Sequence, residues 1–469
     1  MYFSIIIIPI VLIAAIIMIM WEKIDRLLIS LIGAVICIFS LLIDGESFFT
    51  ITRFIIGTVE NDFVNFHTIL LIFGMIILIG LCQEMGLFSY MAFKLAQKTG
   101  GNKYFLFFIL CLLAFIFSAI LNNLLTVLLL IPLTLTITKI LNINPIPYIL
   151  AQALIVNLGG ILFSISSIPN ILITQSIDWS FNQFIVEVGW FSFILLFITL
   201  IFLLGYNKNR LENPDKKLVL VLKEYDPWYF VKNRRSFYIS LIVLLTTIIS
   251  FIIIPLFIPI NIDLIAISGG LILLILLKTD IKTLIKTIDF ELLLYLISIF
   301  FIIDAFEYTG LLTYLSVFLL NVTRGNIIIS SLLAIWLSSY LSANIDNTPI
   351  TKILIPIFDN ITEGFTYANK NIVFTSLTYG VNIGDNLTPM GDNILVMKIV
   401  ENYGKKLTTK EFLKVGFISS NIQLIAITLY ILIRINSQFL LIGIIGFIII
   451  FLLLLMSFFY KRILKIIKK

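Results

Sequence analysis

Apolar residues arrive in long runs along the whole chain, separated by short polar stretches. A helix needs roughly 17–25 such residues to cross the hydrocarbon core of a bilayer. Runs of that kind fall near 2–20, 27–43, 66–82, 146–175, 184–205, 237–259, 262–278, 288–305, 371–398, 412–434 and 438–459. Two further apolar stretches, 104–140 and 327–358, are broken midway by polar residues, Asn122-Asn123 in one and Asn344 to Thr348 in the other. Each is long enough for a helix–turn–helix that returns the chain to the side it left, as a re-entrant hairpin or a pair of spans. The pattern predicts an all-α polytopic membrane protein with about 11 transmembrane helices. The first run, Tyr2–Met20, lacks a basic leader and a small-residue cleavage site and reads as a retained helix.

The interruptions recur. Gly86-Leu87 returns as Gly310-Leu311, Ser118-Ala119 as Ser342-Ala343, Asn123 as Asn347 and Pro132 as Pro356, each 224 residues later. Asn157-Leu158-Gly159 returns as Asn382-Ile383-Gly384 at an offset of 225, and Asn170-Ile171-Leu172 as Asn393-Ile394-Leu395 at 223. Chance supplies one such match in an Ile- and Leu-rich chain, not six in order. Each unit holds an odd number of spans, so the second enters the membrane from the opposite side. The expected organisation is a first inverted repeat over 1–205, with hairpin 104–140 and broken helix 146–175. A linker follows over 206–236, then a second repeat over 237–434 with hairpin 327–358 and broken helix 371–398. A last span and a basic tail occupy 435–469. Inverted repeats place a substrate site near the midplane, where interrupted helices meet.

Composition agrees with a bilayer as the main solvent. Apolar residues are 60% and charged residues 12% of the chain, against about 45–50% and about 25% in soluble domains. The net charge of +6 calls for no nucleic-acid partner, because the basic residues sit in short loops. With the N-terminus outside, all 32 Lys and Arg fall on the cytoplasmic side except Arg53, Arg324, Lys352, Lys370 and Arg434. That bias predicts a multi-pass protein of the cytoplasmic membrane, with the 206–236 loop and the C-terminus inside. Cys37, Cys82 and Cys111 have no paired spacing and read as small buried side chains. The chain shows no phosphate-binding glycine loop, metal-ligand spacing or nucleophile–base pair, so it reads as a non-enzyme without a resident cofactor. A partner ATPase and a homodimer stay open as partners beside the lipid bilayer and a small ion.

Candidate chemistry lies in four polar clusters, in two repeat-related pairs. One pair is Ser118 to Asn122-Asn123 with Ser342 to Asp346-Asn347-Thr348. The other is Asn157, Gly159, Gly160, Ser164, Ser166, Ser167 and Asn170 with Asn382, Gly384, Asp385, Asn386, Thr388, Asp392 and Asn393. Gly, Pro and Asn at this density break helices, and freed backbone at membrane depth is tolerated only around a protein-enclosed cavity. Opened carbonyls and Ser, Thr and Asn oxygens suit Na⁺, while half-helix N-termini face anions.

These segments resemble the ion transporter superfamily, which includes arsenite efflux permeases (ArsB), NhaD-type sodium/proton antiporters, citrate transporters and sodium-coupled dicarboxylate symporters. The likeness rests on Ser118-Ala119 with Asn122-Asn123, and on Asn157-Leu158-Gly159-Gly160 ending in Pro169-Asn170. It runs from about Phe66 to Ile433 and is strongest to the arsenite-permease/NhaD branch, with Asn122 standing where that branch carries an acid. The resemblance implies two membrane hairpins and two broken helices, with an ion-coupled site where their tips meet. It also implies that Asn123, Gly159, Asn347 and Gly384 line that site and could hold Na⁺.

Acids are unevenly shared between the halves. The first-half clusters carry none; the second half carries Asp346, Asp385 and Asp392, with Asp304 in the preceding span. A carboxylate at membrane depth costs roughly 2.5 kcal/mol or more and marks function. The expectation is that Ser118, Asn122, Asn123, Asn157, Gly159, Ser164 and Asn170 bind substrate. Asp346, Asn347, Thr348, Asn382, Gly384, Asp385 and Asp392 then serve the coupling cation, Na⁺ or H⁺. The function expected is a secondary transporter of a small inorganic ion or organic anion, with a sodium/proton antiporter or an ion channel as competing readings.

Overall fold

The computed structural model describes residues 2–467 apart from 22, 58–63, 259, 281, 283, 284 and 287; the side chains of Tyr2, Asp392 and 456–467 also lie outside the description. The first half holds α1 (Tyr2–Trp21), α2 (Arg26–Ile43), α3 (Phe48–Ile56), α4 (Val64–Glu84) and α5 (Leu87–Lys98). The hairpin α6 (Lys103–Ile120) and α7 (Asn123–Ile140) follows, then the broken helix α8 (Ile146–Gly159) and α9 (Ile168–Ser176). The span α10 (Phe181–Asn207) closes this half. A short linker helix α11 (Lys216–Glu224) leads to α12 (Arg234–Ile253), α13 (Ile262–Leu277), α14 (Phe290–Tyr308) and α15 (Leu311–Thr323). The second hairpin is α16 (Ile327–Ser342) and α17 (Asn347–Thr362), and the second broken helix α18 (Tyr367–Gly384) and α19 (Asp392–Asn402). The chain ends with α20 (Thr409–Ile435) and α21 (Leu440–Ile467). Nine helices among the described residues are long and apolar enough to cross a membrane, including both arms of the first hairpin.

This is an all-helical polytopic fold, and helices related by the sequence repeat end for equivalent reasons. Gly86 and Gly310 both adopt the left-handed conformation, at φ 82° and 77°, and turn the chain from α4 into α5 and from α14 into α15. The hairpin turns are sharp because polar side chains cap the returning arm. Asn122 accepts the Leu125 N–H at 2.8 Å to start α7, and Asp346 accepts the Thr348 N–H at 2.9 Å to start α17. Pro132 and Pro356 then sit inside α7 and α17.

The halves are exchanged where they pack. α2 lies against α14 of the second half, and α13 lies against α4 of the first. The short second pieces of the broken helices cross over too, α9 onto α17 and α19 onto α7. Within each half the first hairpin arm packs on the first piece of the broken helix, α6 on α8 and α16 on α18. Both hairpin tips are thereby brought to the helix breaks.

Candidate functional site

Glycine makes the close approach at each break. A Cβ on Gly159 would lie 2.3 Å from the Phe115 carbonyl oxygen, and one on Gly384 would lie 2.5 Å from that of Ser339. Phe115 and Ser339 are themselves 224 residues apart. Backbone freed by the breaks is satisfied in the same way in both halves. Asn170 donates to the Gly160 carbonyl at 2.7 Å, and Asn393 to the Asp385 carbonyl at 2.8 Å. From the loops, Ser166 donates to the Ala119 carbonyl at 2.5 Å, and the Thr388 hydroxyl to the Ala343 carbonyl.

Two side-chain cages form where a hairpin tip meets the C-terminal end of α8 or α18. In the first, Ser118 donates to Asn123 Oδ1 at 2.7 Å, and Asn123 Nδ2 donates to Asn157 Oδ1 at 2.7 Å. In the second, Asn347 donates to the Asp385 carboxylate at 2.6 Å, and the Ser342 hydroxyl, 2.8 Å from the Val381 carbonyl, lies 3.1 Å from the same carboxylate. One exchange separates the cages: Gly160 occupies the position of Asp385. A Cβ on Gly160 would sit 2.7 Å from Asn123 Oδ1, so its absence leaves room for the Asn123 amide. The second cage instead holds a carboxylate.

Asparagines bridge the two broken helices. Asn157 Nδ2 donates to Asn386 Oδ1 at 2.8 Å, and Asn382 Nδ2 to Asn170 Oδ1 at 2.8 Å. Ser167 adds a bond to Asn382 Oδ1 at 3.1 Å. Asn157, Asn170 and Asn382 are buried and engaged with one another's helices, as polar glue between membrane helices.

The tips enclose a cavity of about 80 Å³ lined by Arg26, Asn122, Asn123, Ser166, Ser167, Tyr295, Asp346, Asn347 and Thr348, among others. The first residues of α2, α7, α9 and α17 all border it, which turns four positive helix ends toward one space. The cages adjoin this cavity through Asn123 and Asn347, between those N-termini and the negative C-terminal ends of α8 and α18. Two further cavities, of about 40 and 320 Å³, share Asn122 and Leu292 with the first and lead toward Glu84, Lys286 and Asp289. At the opposite end of α4, roughly 30 Å away over its 21 residues, lies a second vestibule. Two cavities of about 420 and 310 Å³ share Val64, Gln175 and Asp178 there. The tip cavity reaches Thr348, and the far vestibule begins at Lys352, one turn further along α17.

The expected site residues thus separate into groups. Ser118, Asn123 and Asn157 form one cage with Gly159 beside it; Ser342, Asn347 and Asp385 form the other with Gly384. Asn122, Asp346 and Thr348 face the tip cavity, and Asp346 does so while capping α17. Ser164 is buried among the loop residues with its hydroxyl unpartnered among the described residues. Asp392 opens α19, and its side chain lies outside the described residues. Sequence reasoning counted Arg26 only as a loop charge, yet its Nη1 lies 3.8 Å from Asp346 Oδ2 and its guanidinium 5.2 Å from the centre of the Tyr295 ring. It also left Lys352 without a definite partner. Lys352 Nζ meets Asp304 at 3.0 Å and Asn65 Oδ1 at 2.7 Å, and Asn65 Nδ2 returns to Asp304 at 2.6 Å. His67, at the mouth of α4, pairs with Asp263 at 3.0 Å in the far vestibule.

Known proteins share this architecture. The sequence model of the citrate transporter family matches residues 16–376 and 253–469. The chain belongs to the citrate transporter family. Among similar proteins, the 46 kDa membrane protein of Mycobacterium leprae is 24% identical over 88% of this chain and 95% of its own length. The P protein of Mus musculus is 24% identical over 85% of this chain, and the match spans 56% of that longer protein. The structure of the YdaH transporter of Alcanivorax borkumensis superposes with a TM-score of 0.57 at 14% identity, covering 79% of this chain and 85% of that one; it shares the fold. This citrate-transporter-family protein is therefore a multi-pass membrane transporter.

Proposed function

We propose that the protein is a secondary active transporter of a small anion across the cytoplasmic membrane, coupled to Na⁺ or H⁺. The observation that carries this reading is electrostatic. Four helix N-termini and an arginine surround the tip cavity, while the Asp385 cage stands at the C-terminal end of α18 beside it. The first arrangement favours an anion and the second a cation. Asp385 is the coupling acid in this reading: its carboxylate, the Asn347 amide oxygen, the Ser342 hydroxyl and the end of α18 offer hard oxygen ligands to Na⁺ or a base to H⁺. The uncharged first cage completes the cradle for the substrate. The expected orientation, with the 206–236 linker inside, turns the Glu84–Asp289 path to the cytoplasm and the Val64–Asp178 vestibule outward.

The test is uptake of labelled citrate, succinate and arsenite into proteoliposomes under inward Na⁺ or pH gradients. Accelerated accumulation of an anion by the wild type, with acceleration lost in Asp385→Asn, supports the reading. The Asp385 cage also favours a second one, sodium/proton antiport. That reading prevails if the protein exchanges Na⁺ for H⁺ and moves none of the anions. Strictly downhill anion flux, indifferent to both gradients, would make it a channel.

A further inference from the structure

We infer that Arg26 recognises the transported anion and that Asp346 is its internal counter-ion, which yields the guanidinium when substrate enters. The inference rests on the reading above, in which the tip cavity takes an anion. Arg26 begins α2, where a charge required only for topology would remain in the headgroup layer. It lines the tip cavity instead, above the Tyr295 ring and facing both hairpin tips. Among the described residues that line this cavity, Arg26 is the one cation and Asp346 the one acid.

Their geometry is that of a displaceable pair. The Arg26–Asp346 separation of 3.8 Å exceeds the roughly 2.7–2.9 Å of a charge-assisted hydrogen bond. The other Asp346 oxygen accepts the Thr348 N–H that starts α17. Both side chains keep partial access to water, at 35% and 24% exposure, so neither is sealed into the contact. Arg210–Glu411 and Arg434–Glu187, by contrast, are in direct hydrogen-bonding contact.

The chemical class follows from the fork. A planar guanidinium matches the two oxygens of a carboxylate or an oxyanion in a way that an ammonium cannot. Asn122, Asn123, Ser166, Ser167 and Thr348 surround it with neutral hydrogen-bonding groups for the remaining oxygens. An anion seated there lies beside the Asp346 carboxylate and is repelled by it. Removing that charge therefore improves anion binding, whereas removing the charge of Arg26 weakens it. A pair that merely staples the second hairpin to α2 would respond with the same sign to both changes.

The experiment measures initial uptake of labelled citrate and succinate against concentration in proteoliposomes of the full chain. Wild type is compared with Arg26→Gln, Arg26→Lys and Asp346→Asn at matched reconstituted amounts. The apparent KM should rise about tenfold or more in R26Q and by an intermediate factor in R26K, with a smaller change in maximal rate. In D346N it should fall, with dependence on the Na⁺ or pH gradient retained. An unchanged KM in R26Q, or a KM raised by D346N as well, overturns the inference while leaving the transporter reading intact. Loss of gradient dependence in D346N also overturns it, because Asp346 would then be the coupling acid. If R26Q does not fold, the opposite shifts of R26K and D346N decide the matter. A wild type that takes up neither anion ends the functional reading, and the assignment of Arg26 with it.

Discussion

A Cβ on Gly384 would lie 2.5 Å from the Ser339 carbonyl oxygen and 2.6 Å from the Ser342 Cβ. The first of these is backbone in the middle of a packed helix pair and cannot swing aside. Gly384→Ala should therefore push α16 from α18, destabilise the protein by about 1–3 kcal/mol and disturb the Asp385 cage. Gly364→Ala, where the added methyl meets nothing within 4 Å, is the matched control. Thermal unfolding in detergent reads both, and equal midpoints would show that the helix pair has slack. Sequence reasoning singled out Gly159 and Gly384 because each ends an apolar run beside Asn and recurs in the other half. It could not tell a glycine that lines a site from one that lets two helices touch, since the neighbouring carbonyl lies some 45 residues away along the chain. Arg26 illustrates the same limit. In a loop between two apolar runs it resembles any cytoplasmic charge, and only the fold brings residue 346 to it.

At the scale of elements, the paired interruptions were the readable signal. Both hairpins turn where Asn or Asp interrupts the apolar run, and both broken helices divide at Asn-x-Gly, because these residues stop or cap helices by local chemistry. Helices α5 and α15 were less legible. Gly86-Leu87 and Gly310-Leu311 mark only where they begin; the helices are too short to register as spans, and α5 holds its place by burying Leu87, Phe88, Tyr90, Phe93 and Ala96. The hold of the second hairpin on the frame was equally hidden. Lys352 of α17, Asp304 of α14 and Asn65 of α4 join three elements through one cluster, with the two charges 14% and 15% exposed. Lys352→Met leaves the Asp304 carboxylate buried without its cation and should cost about 3 kcal/mol or more. Adding Asp304→Asn to that variant should recover much of the loss. Unfolding midpoints of the single and double variants check this; a double variant worse than the single one would show that the cluster does not act as a pair.

For the whole molecule, charge bias and span count together gave a topology that labelling can examine. Cys37, Cys82 and Cys111 are all buried, so an impermeant thiol reagent has little native background. A cysteine replacing Gly364, beyond the second hairpin, should label in intact cells. One replacing Lys216, in α11, should label only after permeabilisation. Labelling of position 216 from outside would invert the assignment of both vestibules. The two repeats were visible in the sequence because the helix-breaking residues recur in the same order. Their exchange of helices was not, because a lipid-facing apolar surface and one that meets another helix use much the same residues.

That exchange governs how the protein must be made. The face of α2 that ends up buried carries Ser30, Gly33, Ala34, Cys37 and Ser40, and a Cβ on Gly33 would meet the Ile302 side chain of α14 at 2.9 Å. α14 begins at Phe290, about 250 residues after α2 ends at Ile43; at about 5–20 residues per second the ribosome needs roughly 12–50 s to reach it. Throughout that interval the small-residue groove of α2 has only α1, lipid or the insertion machinery for company. The first half therefore enters the bilayer as an unfinished assembly intermediate. Its compaction waits on synthesis of the second half, and a nascent chain that stalls near the linker presents an open groove to membrane quality control.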